Sequence, residues 1–250
     1  MQSVPKISII TVVYNGVALL ERTINSVLVQ TYPHIEYIII DGASTDGTLD
    51  IVEKYKSKIQ IIISEKDKGI YYAMNKGLAV ATGDYVLFLN AGDELYAEST
   101  ITNVFSNSMD ADVYYGNTAV VDEQRNLLGD RRLTPPENLT WESFKFGMSV
   151  SHQSFIAKRS LCDFYNLNYR LGSDIDWVIN ILKKSKKIVY VKIYISKFLE
   201  GGVTSKKRIK AWTERFQLLS KHYGVVPTLW NHLYIAGRFL IHKFTHTSMT

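Results

Sequence analysis

A single cysteine in 250 residues leaves Cys162 without a partner for an internal disulfide, and the lack of any C-x-x-C pair or His/Cys cluster removes a zinc site. Both absences suit a reducing compartment. No uninterrupted apolar stretch reaches the ~18 to 20 residues that a membrane-spanning helix needs, and residues 1–6 lead into a strand-like run without the apolar core of a signal peptide. The expectation is a protein made and kept in the cytoplasm. Five prolines and 15 glycines follow no period, which excludes collagen-like and low-complexity chains, and no repeat of solenoid length is present. Two phosphate-binding devices are also missing. Only Gly16 follows the first strand-like run, where a dinucleotide site needs G-x-G-x-x-G, and G-x-x-x-x-G-K-[ST] occurs nowhere.

What is present is a chain with 46% hydrophobic and 21% charged residues, enough for one sizeable core or two small ones. Its net charge of +5 is spread unevenly: residues 183–250 hold 14 Lys and Arg against Glu200 and Glu214 alone, so the remainder is acidic on balance. A basic end on an acidic body suits contact with a membrane, a nucleic acid or an acidic polymer; a solvated basic face accounts for it equally well.

The first half alternates β-branched runs with helix-length segments, the pattern of βαβ units and a mostly parallel sheet. Strands are predicted over 6–13, 35–40, 59–63 and 85–89, and helices over 17–30, 46–55 and 69–81, with Ser44 and Thr45 as candidate N-caps of the second. A helix to about 106, a strand from 112 and a loop over 131–137 follow, and that loop is a plausible seam. Beyond it the pattern predicts a strand at 154–157, a helix over 173–184, a strand over 188–195 and helices over 206–222 and 228–244.

In an open parallel sheet, ligands sit outside the carboxyl ends of the strands. The segments found there are polar: Tyr14-Asn15-Gly16, then Asp41 to Thr48, then Ser64 to Gly69, then Asn90 to Glu94. A carboxylate at a strand end can accept hydrogen bonds from a ribose or a base imide, and glycine beside it lets backbone approach closely. With neither glycine-rich device present, a carboxylate holding a divalent cation against a diphosphate is the remaining common solution, and Asp93 is the candidate. Asp41 and Asp93 could instead only cap the helices that follow them.

SIITVVYNG, DGASTDGT, SEKDKGIYYAMNKGLAVATGDY and FLNAGDE, in that order, resemble the inverting family 2 glycosyltransferases of the GT-A fold, and within them bacterial enzymes of surface-polysaccharide assembly. SHQSFIAKRSL, GSDIDW and EGGVTS resemble that family's acceptor-side landmarks. The resemblance implies a GT-A α/β fold over 1–205, with 1–97 holding the nucleotide sugar and 98–205 the acceptor, and a basic amphipathic helical extension over 206–250. It implies that Thr11, Tyr14 and Asn15 line the nucleotide, that Asp41 contacts base or ribose, and that Lys68 and Asn75 border the donor. Asn90 to Asp93 stands where the family writes D-x-D or D-x-D-D. Here Asn90 and Gly92 replace two acids, so Asp93 alone remains to hold Mg²⁺ or Mn²⁺. Asp174 matches the family's catalytic base and Asp176 is the fallback, though Asp174 read alone could be an N-cap or first-turn acid. His152 and Trp177 are weaker candidates for sugar contacts; His152-Gln153 could be a satisfied strand pair and Trp177 core.

The implied activity is transfer of a sugar from a nucleoside diphosphate donor, uridine by default, to a glycan or lipid-linked acceptor. A sugar nucleotidyltransferase would want a glycine-rich basic loop where Tyr14 to Ala18 stands, and a non-catalytic nucleotide-sugar binder is the other alternative. The last predicted helix carries Leu229, Trp230, Leu233, Tyr234, Ile235, Phe239, Leu240, Ile241 and Phe244 on one side, with the basic run 206–210 upstream. Peripheral contact with an anionic inner-membrane surface is expected of it, or else packing on its own domain or a second subunit.

Overall fold

A computed structural model describes residues 4–106, 110–200 and 208–234. Its centre is built from strands whose residues are apolar on both faces, as a sheet covered on both sides requires. All seven residues of β1 (Ile7–Val13) are buried. β1 lies between β2 (Ile35–Asp41) and β4 (Tyr85–Phe88), and β2 pairs with β3 (Ile61–Ser64), all in parallel. The crossovers are α1 (Val17–Leu28), α2 (Thr48–Tyr55) and α3 (Ile70–Val80). Alternation along β1 then sorts the core. Ile10 and Val12 meet Tyr71, Met74 and Leu78 of α3 on one face, while Ile7, Ile9 and Val13 meet Leu20, Ile24 and Val27 of α1 on the other. Gly77 lets α3 settle onto the sheet, since a Cβ there would stand 2.4 Å from Ile10 Cγ2.

After β5 (Glu94–Leu95) and α4 (Thr100–Ser106) come β6 (Val113–Val121), β7 (Leu127–Asp130), β8 (Phe155–Lys158), α5 (Ser173–Lys184), β9 (Ile188–Leu199) and α6 (Arg208–Tyr223). The strand order is β3-β2-β1-β4-β8-β6-β9-β5, with β7 on β6. β8 enters antiparallel between β4 and β6, so one mixed nine-stranded sheet runs through both halves of the chain. The 131–137 seam is a loop hanging from this sheet.

Several boundaries differ from the periodicity. α2 starts behind Gly47, which takes φ 94, and Ser44 and Thr45 do not cap it; both are used by the neighbouring loop instead. β5 is too short to show a period, and β7 has no buried residue to show one. The 188–195 strand continues to Leu199 because its far end pairs with β6 and β5. Residues 225–234 are helical. Lys206, Lys207, the EGGVTS residues 201–205, and Ile235, Phe239, Leu240, Ile241 and Phe244 lie outside the described residues. Among the described residues no helix is long and apolar enough to cross a membrane.

Candidate functional site

The parallel register sets Val13 beside Asp41 and Asp41 beside Ser64, so the loops leaving β1, β2 and β3 start level and meet. Asn15 and Ala43 adopt left-handed backbone, φ 49 and 60. For alanine this costs of order 1 kcal/mol, and it persists only where the surroundings hold it. Here they do: the Asn15 N–H donates to Ser44 Oγ (2.8 Å), the Thr45 N–H to Asn15 Oδ1 (3.0 Å), and the Gly16 N–H to Thr48 Oγ1 (2.9 Å). Asp41 is wholly buried. Its Oδ2 accepts from the Ser44 N–H (3.0 Å) and Ser64 Oγ (2.7 Å), whereas Oδ1 is buried without a partner among the described residues. A buried acceptor left open in this way calls for a donor from outside. Above Gly42 stand Tyr14 and Asp67: a Cβ on Gly42 would lie 3.3 Å from Tyr14 Cδ2 and 3.5 Å from Asp67 Oδ2. The Tyr14 ring is 68% exposed, a free platform for a flat ligand. Asp67, paired with Lys76 at 2.5 Å, was not singled out from the sequence, although an acid in a strand-end loop was the available signal. Lys68 follows it, exposed on the same loop.

A second cluster forms where α5 and the turn before β8 reach the end of β4. Asn90 Nδ2 and His152 Nε2 are 3.1 Å apart, and His152 Nδ1 lies 3.7 Å from Asp174 Oδ2. Asp174 Oδ1 accepts from Tyr71 Oη (3.2 Å) and the Ile175 N–H (3.0 Å). Burial works to raise the Asp174 pKa, but His152, the Ile175 N–H and the Tyr71 hydroxyl outweigh it and hold the carboxyl below its ordinary value. Its side chain keeps 23% exposure, so an ionised carboxylate with one lightly held oxygen faces a reachable space. Tyr71 is the partner that sequence reasoning missed, because only folding brings it 103 residues along the chain to Asp174. Asp176 points elsewhere. It is buried against His222 Nε2 at 2.7 Å, as residues two apart on a helix must take different faces.

Residues 8–165 match the model of the family described as Glycosyl transferase family 2. This chain is a family 2 glycosyltransferase. It is 30% identical over 185 residues to the teichuronic acid biosynthesis glycosyltransferase TuaG of Bacillus subtilis, covering 72% of this chain and 73% of that one. A PGL/p-HBAD biosynthesis glycosyltransferase of Mycobacterium tuberculosis is 28% identical over 228 residues, 87% of this chain and 86% of the relative. The fold is that of the GT-A structures: Staphylococcus aureus TarS with UDP-GlcNAc superposes with a TM-score of 0.67 at 20% identity, over 86% of this chain and 71% of TarS. The mannosyltransferase PcManGT of Pyrobaculum calidifontis, in complex with GDP-Man and Mn²⁺, does so at 0.66 and 14%, over 100% and 82%. Family membership removes the nucleotidyltransferase alternative.

Within this glycosyltransferase three expected site residues are engaged internally. Thr11 is wholly buried with its hydroxyl 3.1 Å from Tyr37 Oη, since the crevice begins only after Val13. Asn75 spends both ends of its amide on the backbone of Tyr165, donating to its carbonyl (3.0 Å) and accepting from its N–H (2.7 Å), so it staples α3 to the loop before α5 rather than bordering a donor. Trp177 is 3% exposed, stacks on Tyr165 at 4.9 Å and donates to Asp163 O, which makes it core.

Asp93 is also drawn inward, 5% exposed, with Oδ2 accepting from Gln153 Nε2 (2.7 Å) and Oδ1 from the Leu199 N–H (3.3 Å). Its neighbour Glu94 is paired with Arg125 at 3.1 Å, and no group of three His, Cys, Asp or Glu able to hold a metal occurs among the described residues. The residues present around Asp93 therefore do not fit a divalent cation as they stand. Burial pushes the Asp93 carboxyl up to about 6, against the lowering effect of Gln153, His152, the Leu199 N–H and Arg125. A folded-state pKa above the unfolded one contributes stability that is full below about pH 4 and lost as pH rises through about 6. Going from pH 7 to pH 5, the wild type should gain about 1 kcal/mol relative to Asp93→Asn in urea denaturation. Parallel pH responses in the two proteins would show that this carboxyl ionises as an exposed acid does.

Proposed function

We propose that this enzyme transfers a sugar, with inversion, from a nucleoside diphosphate donor, a UDP-sugar, to a hydroxyl of a glycan or lipid-linked acceptor in polysaccharide assembly. The observation that carries the reading is Asp174: an ionised, partly exposed carboxylate joined through His152 to Asn90 at the end of β4. The nucleotide lies in the crevice with its base on Tyr14, and Asp41 Oδ1 accepts the donor hydrogen that the buried oxygen lacks. Asn15 and Lys68 form the rim, Lys68 being its exposed cation. The acceptor hydroxyl enters at Asp174 Oδ2, replacing the long contact with His152. As the hydroxyl oxygen attacks the anomeric carbon from the face opposite the nucleotide, its proton passes to Oδ2 and the diphosphate leaves. Tyr71 and the Ile175 N–H keep Oδ1 in place throughout.

The relatives' names support the polysaccharide setting, and the nucleotide-sugar complexes on the same fold support the donor class. In this reading residues 1–97 serve the donor, 98–205 the acceptor and 206–250 a surface. A divalent cation of the kind bound by PcManGT would be an addition to it, and Asp93 would first have to release Gln153 and the Leu199 N–H. Val225, Val226, Leu229, Trp230, Leu233 and Tyr234 are all at least half exposed, an apolar face suited to peripheral contact with an anionic membrane.

Asp174→Asn should keep nucleotide affinity while transfer falls by roughly 10² to 10⁴-fold. Asp176→Asn should retain transfer and lose thermal stability, because His222 is left against a weaker partner. If Asp176→Asn is the crippled enzyme, the base has been assigned to the wrong carboxylate. Removing the crevice acid, Asp41→Ala, should weaken UDP binding by about 1 to 3 kcal/mol in calorimetry; wild-type affinity would take Asp41 out of the donor site. Truncation before Thr228 should release the protein from anionic liposomes, with UDP binding unchanged. Equal liposome binding by the shortened chain would return the helix to ordinary packing.

A further inference from the structure

Around Asp174 there is more positive charge than Asp174 can use. Arg131 stands on the loop after β7 and Arg215 on α6, and among the described residues neither has an ion pair or hydrogen-bond partner. The bonds of Asp174 go to Tyr71, Ile175 and His152 instead. Burial holds both guanidinium pKa values below their ordinary range, opposed by the attraction of Asp174, and Arg132 adds a repulsion felt at Arg215. Half-buried charges without counterions are costly, and such sites are stable when an anion completes them.

The space beside them is formed. A cavity of about 680 Å³ is lined by Leu133, Thr134, Phe146, Gly147, Ser149 and Trp230, among others. Arg215 reaches its wall, with Nη1 3.7 Å from where a Cβ of Gly147 would lie. Arg131, Ser149 and Asp130 line a hollow of about 10 Å³, room for a single water, that shares Leu133, Thr134 and Ser149 with this cavity. Arg131 Nη1 and Ser149 Oγ are both buried with no hydrogen-bond partner among the described residues. Asp130, on the same hollow, is held by Tyr194 Oη at 2.7 Å and makes no ion pair with Arg131. The larger cavity meets the hollow at Ser149, so an oxyanion seated there, with Arg215 on the wall, would supply the acceptor that Ser149 and Arg131 lack, and the guanidinium fork suits carboxylate and phosphate alike. The donor crevice is elsewhere, at Asp41 and Tyr14. The aromatic wall at Phe146 suits a sugar ring.

We infer that Arg131, Arg215 and Ser149 bind an anionic group, carboxylate or phosphate, carried by the acceptor next to its attacking hydroxyl. The enzyme is then selective for charged acceptors. This rests on Asp174 marking the acceptor side, and the test separates the two ideas. Full-length protein saturated with UDP is titrated calorimetrically with methyl β-glucuronide, glycerol 3-phosphate and neutral methyl β-glucoside. At least one anionic probe should bind tenfold or more tighter than the glucoside, and the preference should shrink with added salt. R131Q/R215Q should abolish it with UDP affinity unchanged, and R131K/R215K, which keeps the charge, should retain part of it. D174N, which removes the competing negative charge, should bind the anionic probe more tightly than the wild type. No preference in the wild type overturns the inference and leaves only water to satisfy Arg131 and Ser149. Loss of UDP affinity in R131Q/R215Q overturns it in favour of the donor diphosphate. A D174N protein that still transfers sugar yet keeps the anion preference removes the base assignment and leaves the anion site standing.

Discussion

The parallel ladder between β1 and β2, seven pairs from Ile7 with Ile35 to Val13 with Asp41, is the constraint on which the rest depends. Parallel strands must return through crossovers, so their carboxyl ends fall on one edge of the sheet and their polar loops emerge together. A slip of one residue would turn Ile10 and Val12 away from α3 and carry Asp41 from its place beside Val13. The register is held by burial on both faces, and the crevice is its by-product. The left-handed backbone at Asn15 and Ala43 is tolerable only because each loop supplies the hydrogen bonds the other lacks.

Onto this frame the second half adds one antiparallel strand, β8, between β4 and β6. Its approach brings His152 to Asn90 and Gln153 to Asp93. Two adjacent residues thus take opposite duties: one links the strand end to Asp174, the other draws a carboxylate out of the crevice. The same economy recurs on α5, where Asp174 meets His152 and Tyr71 while Asp176 meets His222 of α6. The mixed sheet therefore joins the Asp174 cluster to the end of β4.

Surroundings distinguish Asp174, Asp93 and Asp41. Asp174 receives enough hydrogen bonds to remain ionised despite burial, Asp93 receives too few and holds its proton longer, and Asp41 keeps one oxygen open. Carboxylates of similar chemistry acquire distinct roles from the number and geometry of their donors.

Strand runs such as IEYIII and the polar segments at their ends were legible because they depend on local pattern: period, β-branching and position after a strand. Asn75, Thr11 and Trp177 are tied into the fold, and from sequence a polar or aromatic residue near a motif looks the same whether it meets a ligand or its own fold. Which oxygen of Asp41 stays open, which of two acids on α5 meets His152, and that Tyr71, Arg131 and Arg215 gather around Asp174 depend on contacts between residues tens to a hundred positions apart. Sequence by itself determined the family, the parallel strands of the first half and the polar segments at their ends. Only tertiary structure decided which of those groups are already satisfied, since a side chain's hydrogen bonds are settled by what packs against it and not by what precedes it in the chain.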